Sequence, residues 1–188
     1  MIGEDRGPSD AELIRAVLDE GSERAFRSLY RRYNPRVHRL TRRMLTTDAD
    51  AEDATQETWF RAMRKLASYG GQSQLGTWLC GFAVNVAREE LGRRRAWSDE
   101  EVGDIPVMSS EPGERVDIER GLASLPPRCR AVFLLYDVEG FTHQEIADQL
   151  GFSVGTSKTQ LFRARRALRQ LLGDHSDDPT RIQDESAI

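Results

Sequence analysis

Apolar residues recur at three- and four-residue steps along most of this chain, and nowhere do they alternate as a half-buried strand requires. The period predicts helices throughout. Thr142 and Glu145 have the spacing of a capping box, Ile146, Ala147 and Leu150 form the apolar face behind it, and Gly151 can end that helix at positive φ. Ser153 is placed to cap a second helix, in which Val154, Ser157, Leu161, Ala164 and Leu168 make the inward stripe. At roughly 100° per residue, Thr159, Arg163 and Arg166 fall on the opposite side. Upstream, Pro126–Pro127 opens a helix whose Val132, Phe133, Leu134 and Leu135 are expected to be buried.

The N-terminal half reads the same way. Ser9 with Glu12 starts a short helix through Leu18, and Ser22 caps a longer one striped by Phe26, Leu29, Tyr30, Tyr33, Val37, Leu40 and Met44. Pro35 lies inside that stripe, so a kink or break is expected there. Asp48 or Asp50 caps a third helix with an acidic first turn and Arg61, Arg64 and Lys65 near its end, which suits the helix dipole. Gly70 and Gly71 stop it. After the polar loop GGQSQLG, a fourth helix from about Thr77 to Arg95 carries Leu79, Phe82, Val86 and Leu91 on its apolar side, with Trp78 at its start. The expected fold class is all-α: a helical bundle over 9–96 and a helix-turn-helix unit over 116–173. A flexible acidic linker, 97–115, joins them, and a disordered acidic tail, 174–188, follows. Two such units are expected to reorient about the linker.

Charge sharpens the picture. The chain of 188 residues has a net charge of −4, which ill suits a DNA binder until it is located. Trp97–Glu119 carries −7 and Asp174–Ile188 carries −4, so the other 150 residues hold +7. Between Gly151 and Gly173 five basic residues (Lys158, Arg163, Arg165, Arg166, Arg169) occur with no acid. Salt-bridged surface helices normally carry both signs, whereas a one-sided basic helix held by a short preceding helix suits the DNA major groove.

Other classes find little support. His38, His143 and His175 are scattered, His143 is expected to be exposed, and no nucleophile or paired-carboxylate constellation stands out, so no enzyme is expected. Cys80 and Cys129 lack metal-ligand spacing and are expected to be buried free thiols; no cofactor or metal is implied. No apolar run approaches the roughly 20 residues of a membrane helix, and MIGEDRGPSD is unlike a signal peptide. A cytoplasmic protein without direct membrane insertion is expected.

Four stretches, in order, carry a family resemblance. AFRSLYRRYNPRVHRLTRRML resembles sigma region 2.1, DAEDATQETWFRAMRKL region 2.2, GTWLCGFAVNVAREELGRRR regions 2.3 and 2.4, and the segment LASLPPRCRAV through LRQLL region 4. From about Ala11 to Leu172 the chain resembles the two-domain bacterial RNA polymerase sigma factors of the extracytoplasmic-function (ECF) class. The resemblance implies a transcription initiation factor that docks on the clamp helices and β flap of core polymerase and reads the −10 and −35 promoter elements. It places Asp50, Glu52, Asp53, Gln56 and Glu57 against the clamp, where exposed carboxylates suit basic partners. It places Ser73, Gln74 and Leu75 around a flipped −10 base, Trp78 as a stacking candidate, and Asn85, Arg88, Arg93, Arg94 and Arg95 along the strand and upstream duplex. Thr156, Lys158, Thr159, Arg163 and Arg166 are its −35 candidates. The chain departs from the common family form at Ser157, where an apolar residue is usual, and at Gln160, where arginine is frequent; Ser157 is tolerable if it bonds a carbonyl one turn earlier. An anti-sigma protein is the further partner implied, and the acidic linker is a candidate to thread the polymerase RNA channel. The alternative is a helix-turn-helix regulator acting without polymerase, which promoter-directed RNA synthesis would exclude.

Overall fold

The computed structural model describes residues 7–45, 47–94 and 118–171. Arg95, the linker 97–115 and the tail 174–188 lie outside them. The described residues form eight α-helices with no strand. In chain order these are α1 (Asp10–Glu20), α2 (Glu23–Met44), α3 (Asp48–Lys65), α4 (Leu75–Arg93), α5 (Ile118–Ser124), α6 (Pro127–Phe133), α7 (His143–Leu150) and α8 (Val154–Leu171). A 3-10 turn, Leu66–Ser68, follows α3, and a π turn, Leu134–Val138, continues α6.

Local signals start and stop these helices where the sequence places them. Ser9 and Glu12 form a complete capping box, as do Thr142 and Glu145. Gly151 closes α7 at φ 74°, its N–H bonded to the Ala147 carbonyl. Ser153 Oγ accepts from the Thr156 N–H at 3.0 Å and caps α8. Thr47, not Asp48 or Asp50, is the cap of α3: its hydroxyl accepts from the Asp50 N–H at 3.2 Å.

Of the kink or break expected at Pro35, the break does not occur: α2 runs through it for 22 residues. Proline removes one N–H from the ladder and frees the carbonyl four residues back. Pro35 and Arg31 both face solvent, so water can satisfy that carbonyl. Packing of α2 against α1, α3 and α4 holds the helix on either side.

The N-terminal core gathers Leu29, Val37, Leu40, Met44, Leu66, Leu79 and Val84, each at most 2% exposed. Trp59 is wedged between Phe26 and Tyr30, at centroid distances of 6.0 and 5.0 Å, and its Nε1–H donates to Asn34 Oδ1 at 3.0 Å. Thr41, Thr55 and Thr58 are buried hydroxyls; the Thr41 and Thr55 oxygens lie 2.8 Å apart, and Thr55 and Thr58 each donate to the carbonyl four residues back. The C-terminal core packs Leu125, Val132, Leu134, Leu135, Ile146, Leu161 and Ala164.

The amphipathic reading of α4 is too narrow. Besides Leu79, Val86 and Leu91, it buries Leu75, Gly76, Cys80, Gly81, Ala83, Val84 and Ala87. α4 is enclosed because it packs against α2 and α3 and also meets α7. The two units, expected to reorient, here rest on each other: α5 and α6 meet α2, and α7 meets α4. Arg130, 5% exposed, crosses this seam and donates to the Met44 carbonyl at 3.4 Å and the Leu125 carbonyl at 3.2 Å.

Both cysteines are free and fully buried, as the sequence implied. Burial pushes the Cys129 thiol up to about 11, and burial with the neighbouring Glu139 carboxylate pushes Cys80 further up. Thiolate is the reactive form. Neither thiol is therefore expected to react with a disulfide reagent at pH 8 in the native protein, whereas two equivalents react in urea. Rapid native-state modification would contradict this packing.

Candidate nucleic-acid interface

The exposed side of α8 is set by its buried side. Ser157, Gln160, Leu161, Ala164, Ala167, Leu168 and Leu171 are buried, leaving Lys158, Thr159 and Arg166 exposed and Thr156 and Arg163 half-buried beside them. The Thr159 hydroxyl donates to the Gly155 carbonyl at 3.0 Å. Arg165 is committed elsewhere: it pairs with Asp137 at 2.5 Å and lies over the Tyr136 ring at 5.6 Å.

The two departures from the family form acquire partners the sequence did not disclose. Ser157 does not rely on a carbonyl one turn back; its Oγ lies 2.9 Å from His143 Nδ1. His143 is consequently half-buried, not exposed, with its ring stacked on Tyr136 at 4.4 Å. Gln160 is 8% exposed and accepts from the Cys129 thiol at 2.8 Å. It faces the core, so no phosphate contact is expected of it.

Burial, then the charges of Lys158 and Arg165, hold the His143 pKa below its ordinary value of 6.5. Below pH 6.5 the unfolded chain takes up a proton that the folded ring resists, so the unfolded state binds more protons and stability falls with pH. Above 6.5 this contribution is flat. The urea midpoint is expected to decline from pH 7 to 5.5, and His143→Gln is expected to flatten that slope. An unchanged slope in the variant would remove His143 as its source.

The second candidate surface lies on α4 and the loop before it. Tyr69, Trp78 and Phe82 make an aromatic row, with Trp78 centred 5.2 Å from Tyr69 and 4.7 Å from Phe82. The Tyr69 hydroxyl donates to the Ser73 carbonyl at 2.6 Å and so holds the loop onto this row. Ser73 is half-buried and Gln74 exposed, but Leu75 is 2% exposed and belongs to the core. Leu75 therefore does not line an open base pocket: as the first residue of α4 it points inward. Asn85 and Arg88 are half-buried further along, and Arg88 Nη1 donates to the Leu150 carbonyl of α7 at 3.2 Å. Arg93 pairs with Glu90, and Arg94 pairs with Glu90 at 2.9 Å and with Asp50 at 2.5 Å.

The third surface is the first three turns of α3. Glu52, Asp53 and Gln56 are exposed. Asp50 is tied back to Thr47 and Arg94, which lower its pKa, and Glu57 accepts from Arg61 Nε at 2.6 Å. Thus two of the five candidates carry intramolecular bonds. Sequence reasoning missed Arg36, Cys80, Glu139 and Gln149, which join the two units. Arg36 Nε donates to Glu139 Oε2 at 2.6 Å, Cys80 Sγ lies 3.3 Å from that oxygen, and Gln149 Nε2 donates to the Gly81 carbonyl at 2.7 Å. No local period signals such pairs.

Comparison with known proteins gives this arrangement a lineage. The Sigma-70 region 2 family matches residues 29–97, and Sigma-70, region 4 matches residues 115–168. The chain is 32% identical to the ECF RNA polymerase sigma factor SigM of Mycobacterium tuberculosis over 168 residues, covering 88% of this chain and 85% of that protein. It is likewise 32% identical to the ECF RNA polymerase sigma factor SigE of Mycolicibacterium smegmatis over 189 residues, covering 91% and 72%. Among solved structures, the sigma factor RpoE from Bartonella quintana, in complex with the anti-sigma factor NepR, shares the fold. The TM-score is 0.61 at 23% identity, over 81% of this chain and 98% of that one. Both sigma regions, in order on one helical chain, place this protein in the ECF RNA polymerase sigma factor family.

Proposed function

We propose that this chain is an alternative sigma factor whose four surfaces divide the work of promoter-specific initiation. Glu52, Asp53 and Gln56, with Asp50 and Glu57 beside them, meet the basic clamp of core polymerase. Ser73, Gln74, Trp78, Asn85 and Arg88 engage the −10 non-template strand, with Arg93 and Arg94 toward the upstream duplex. Thr156, Lys158, Thr159, Arg163 and Arg166 engage the −35 duplex. An apolar groove lined by Ile118, Phe133, Leu168 and Leu171 suits the β flap. The observation that carries this reading is the pairing, on one chain, of a one-sided basic helix, α8, with the aromatic and polar face of α4.

Each surface has a chemistry that fits its role. Arginine can hold guanine bidentately in the major groove, and lysine and threonine hold phosphates. An aromatic row flanked by amide and hydroxyl groups receives an unstacked base and bonds its edge. The protein then acts in the cytoplasm, beside polymerase, as a regulatory subunit with no catalysis of its own. An anti-sigma protein is a fitting further partner, since the RpoE relative is held in such a complex.

Run-off transcription with purified core polymerase and a library of promoter-like templates tests the reading. Specific initiation that requires this protein is expected. DNA binding without any initiation, while a control factor initiates, would support a regulator that acts without polymerase.

A further inference from the structure

Eight arginines lie on α2 against one acid, Glu23, and the four surfaces above use none of them. Three are spent inside the fold: Arg32 on Asp10, Arg36 on Glu139 and Arg43 on Glu119. The other five, Arg24, Arg27, Arg31, Arg39 and Arg42, are exposed and share one side. At about 100° per residue, Arg24, Arg31 and Arg42 fall within about 20° of a single line along the helix, and Arg27 and Arg39 within about 60° of it. Tyr33 and Arg36, which stand against Gly76 of α4, lie roughly 120° or more from that line. The arginine stripe therefore faces away from α4 and from the proposed −10 surface.

Little holds these five cations in place. Arg27 pairs with Glu23 and Arg42 with Asp48, both acids largely exposed, where an ion pair contributes little. Arg24, Arg31 and Arg39 have no partner among the described residues. Between the cations stand Ser28, Pro35 and His38. The Ser28 hydroxyl donates to the Arg24 carbonyl at 3.0 Å, and His38 turns toward Thr55 at 3.4 Å. No large apolar side chain lies in this arc, so nothing in it would enter a bilayer or fill a pocket on a protein partner. What remains is charge strung along one unbroken helix. From Arg24 to Arg42 the stripe is about 27 Å long at 1.5 Å per residue. A duplex presents one phosphate charge per about 1.7 Å of its axis, so several phosphates come within reach wherever a duplex lies along the stripe.

We infer that the outer face of α2 is a further duplex-binding surface, one that holds DNA by its phosphates without regard to sequence. Its role differs from promoter readout: α8 finds a sequence, whereas α2 supplies affinity for any duplex. A local positive stripe of this kind suits a chain of net charge −4 that must approach a polyanion. Binding releases counterions condensed on the DNA, so the hold weakens steeply as salt rises.

The test uses the full chain and a labelled duplex of non-promoter sequence. Lys158→Ala/Arg166→Ala first removes the share of α8. On that background Arg24→Ala/Arg31→Ala/Arg39→Ala is expected to weaken duplex binding by at least about tenfold at about 100 mM salt. The log–log salt dependence should become shallower by about 2.7, if each cation meets one phosphate. Lysine at the same three positions should restore the affinity to within about threefold, since charge and not shape carries the contact. The three side chains are exposed, so melting followed by circular dichroism should not change. Arg15→Ala/Arg64→Ala/Arg120→Ala takes the same charge from exposed positions elsewhere and is expected to cost less than about threefold. A loss from this control as large as that from the α2 variant would leave only a diffuse field and overturn the assignment. Equal duplex affinity in the α2 variant and its background overturns it too. Should core polymerase or phosphatidylglycerol vesicles be what the α2 variant alone fails to bind, the face belongs to an acidic protein surface or a lipid, and the inference falls.

Discussion

Trp59→Ala is expected to cost the protein about 3–5 kcal/mol of stability, the usual range for truncating a buried aromatic. Trp59 is 4% exposed and fills the space where α3 lies against α2, with Phe26 at its edge and Tyr30 tilted beside it. Two losses add. The cavity left by an indole is too large for the surrounding rings to close, and Asn34 Oδ1 loses its indole donor. Against a typical total of about 5–15 kcal/mol, such a loss leaves the N-terminal bundle marginal. Urea denaturation read by circular dichroism would show the midpoint fall. Trp59→Phe is expected to recover most of the packing while still lacking the N–H, so the two variants separate cavity from hydrogen bond. A shift below 1 kcal/mol for alanine would mean that α2 and α3 are not joined in this way.

The second large effect is on DNA. Lys158→Ala/Arg166→Ala is expected to weaken duplex binding roughly 10- to 100-fold near 100 mM salt and to make the log–log salt dependence shallower by about 1.8, if each cation neutralises one phosphate. If Arg166 instead reads a guanine, its share of the loss appears on cognate DNA alone and the slope changes by only about 0.9. Two neighbours serve as controls. Arg165→Ala removes a cation from the same helix, but that cation is spent on Asp137 and Tyr136, so stability should suffer more than affinity. Gln160→Ala should leave the salt slope unchanged, because the amide faces Cys129 in the core. A loss per cation from Arg165→Ala as large as that from Lys158 and Arg166 would point to a smeared electrostatic field rather than a defined face.

Legibility in the sequence followed the range of the interaction. The capping boxes at Ser9 and Thr142 act over three residues, and the inward stripe of α8 repeats within four; both were readable from spacing alone. Pro35 does not break α2, and whether a proline ends a helix depends on which side of it faces water, a property of the bundle and not of the local pattern. Ser157 and Gln160 stood out as polar residues on or near an apolar stripe, yet their partners, His143 and Cys129, lie 14 and 31 positions away. Arg36 and Glu139 are 103 positions apart, beyond any periodic signal. Leu75 read as a loop residue because the glycines before it obscured where α4 begins. The buried small residues of α4, from Gly76 to Ala87, did hint at a helix enclosed on more than one side, since an amphipathic surface helix rarely spends so many positions on glycine and alanine.

The seam between α4 and α7 also has a consequence in time. Helices α1 to α4 are complete by residue 93, and α7 begins at residue 143. At roughly 5–20 residues per second, a ribosome needs several seconds to add what lies between. During that interval the nascent bundle displays Trp78 and Phe82 with nothing yet synthesised to cover them. The face is thus without its opposing wall in every new molecule until α7 has been made. A chain stalled or cut after α4 keeps that aromatic row without its opposing wall, and an exposed apolar row favours self-association.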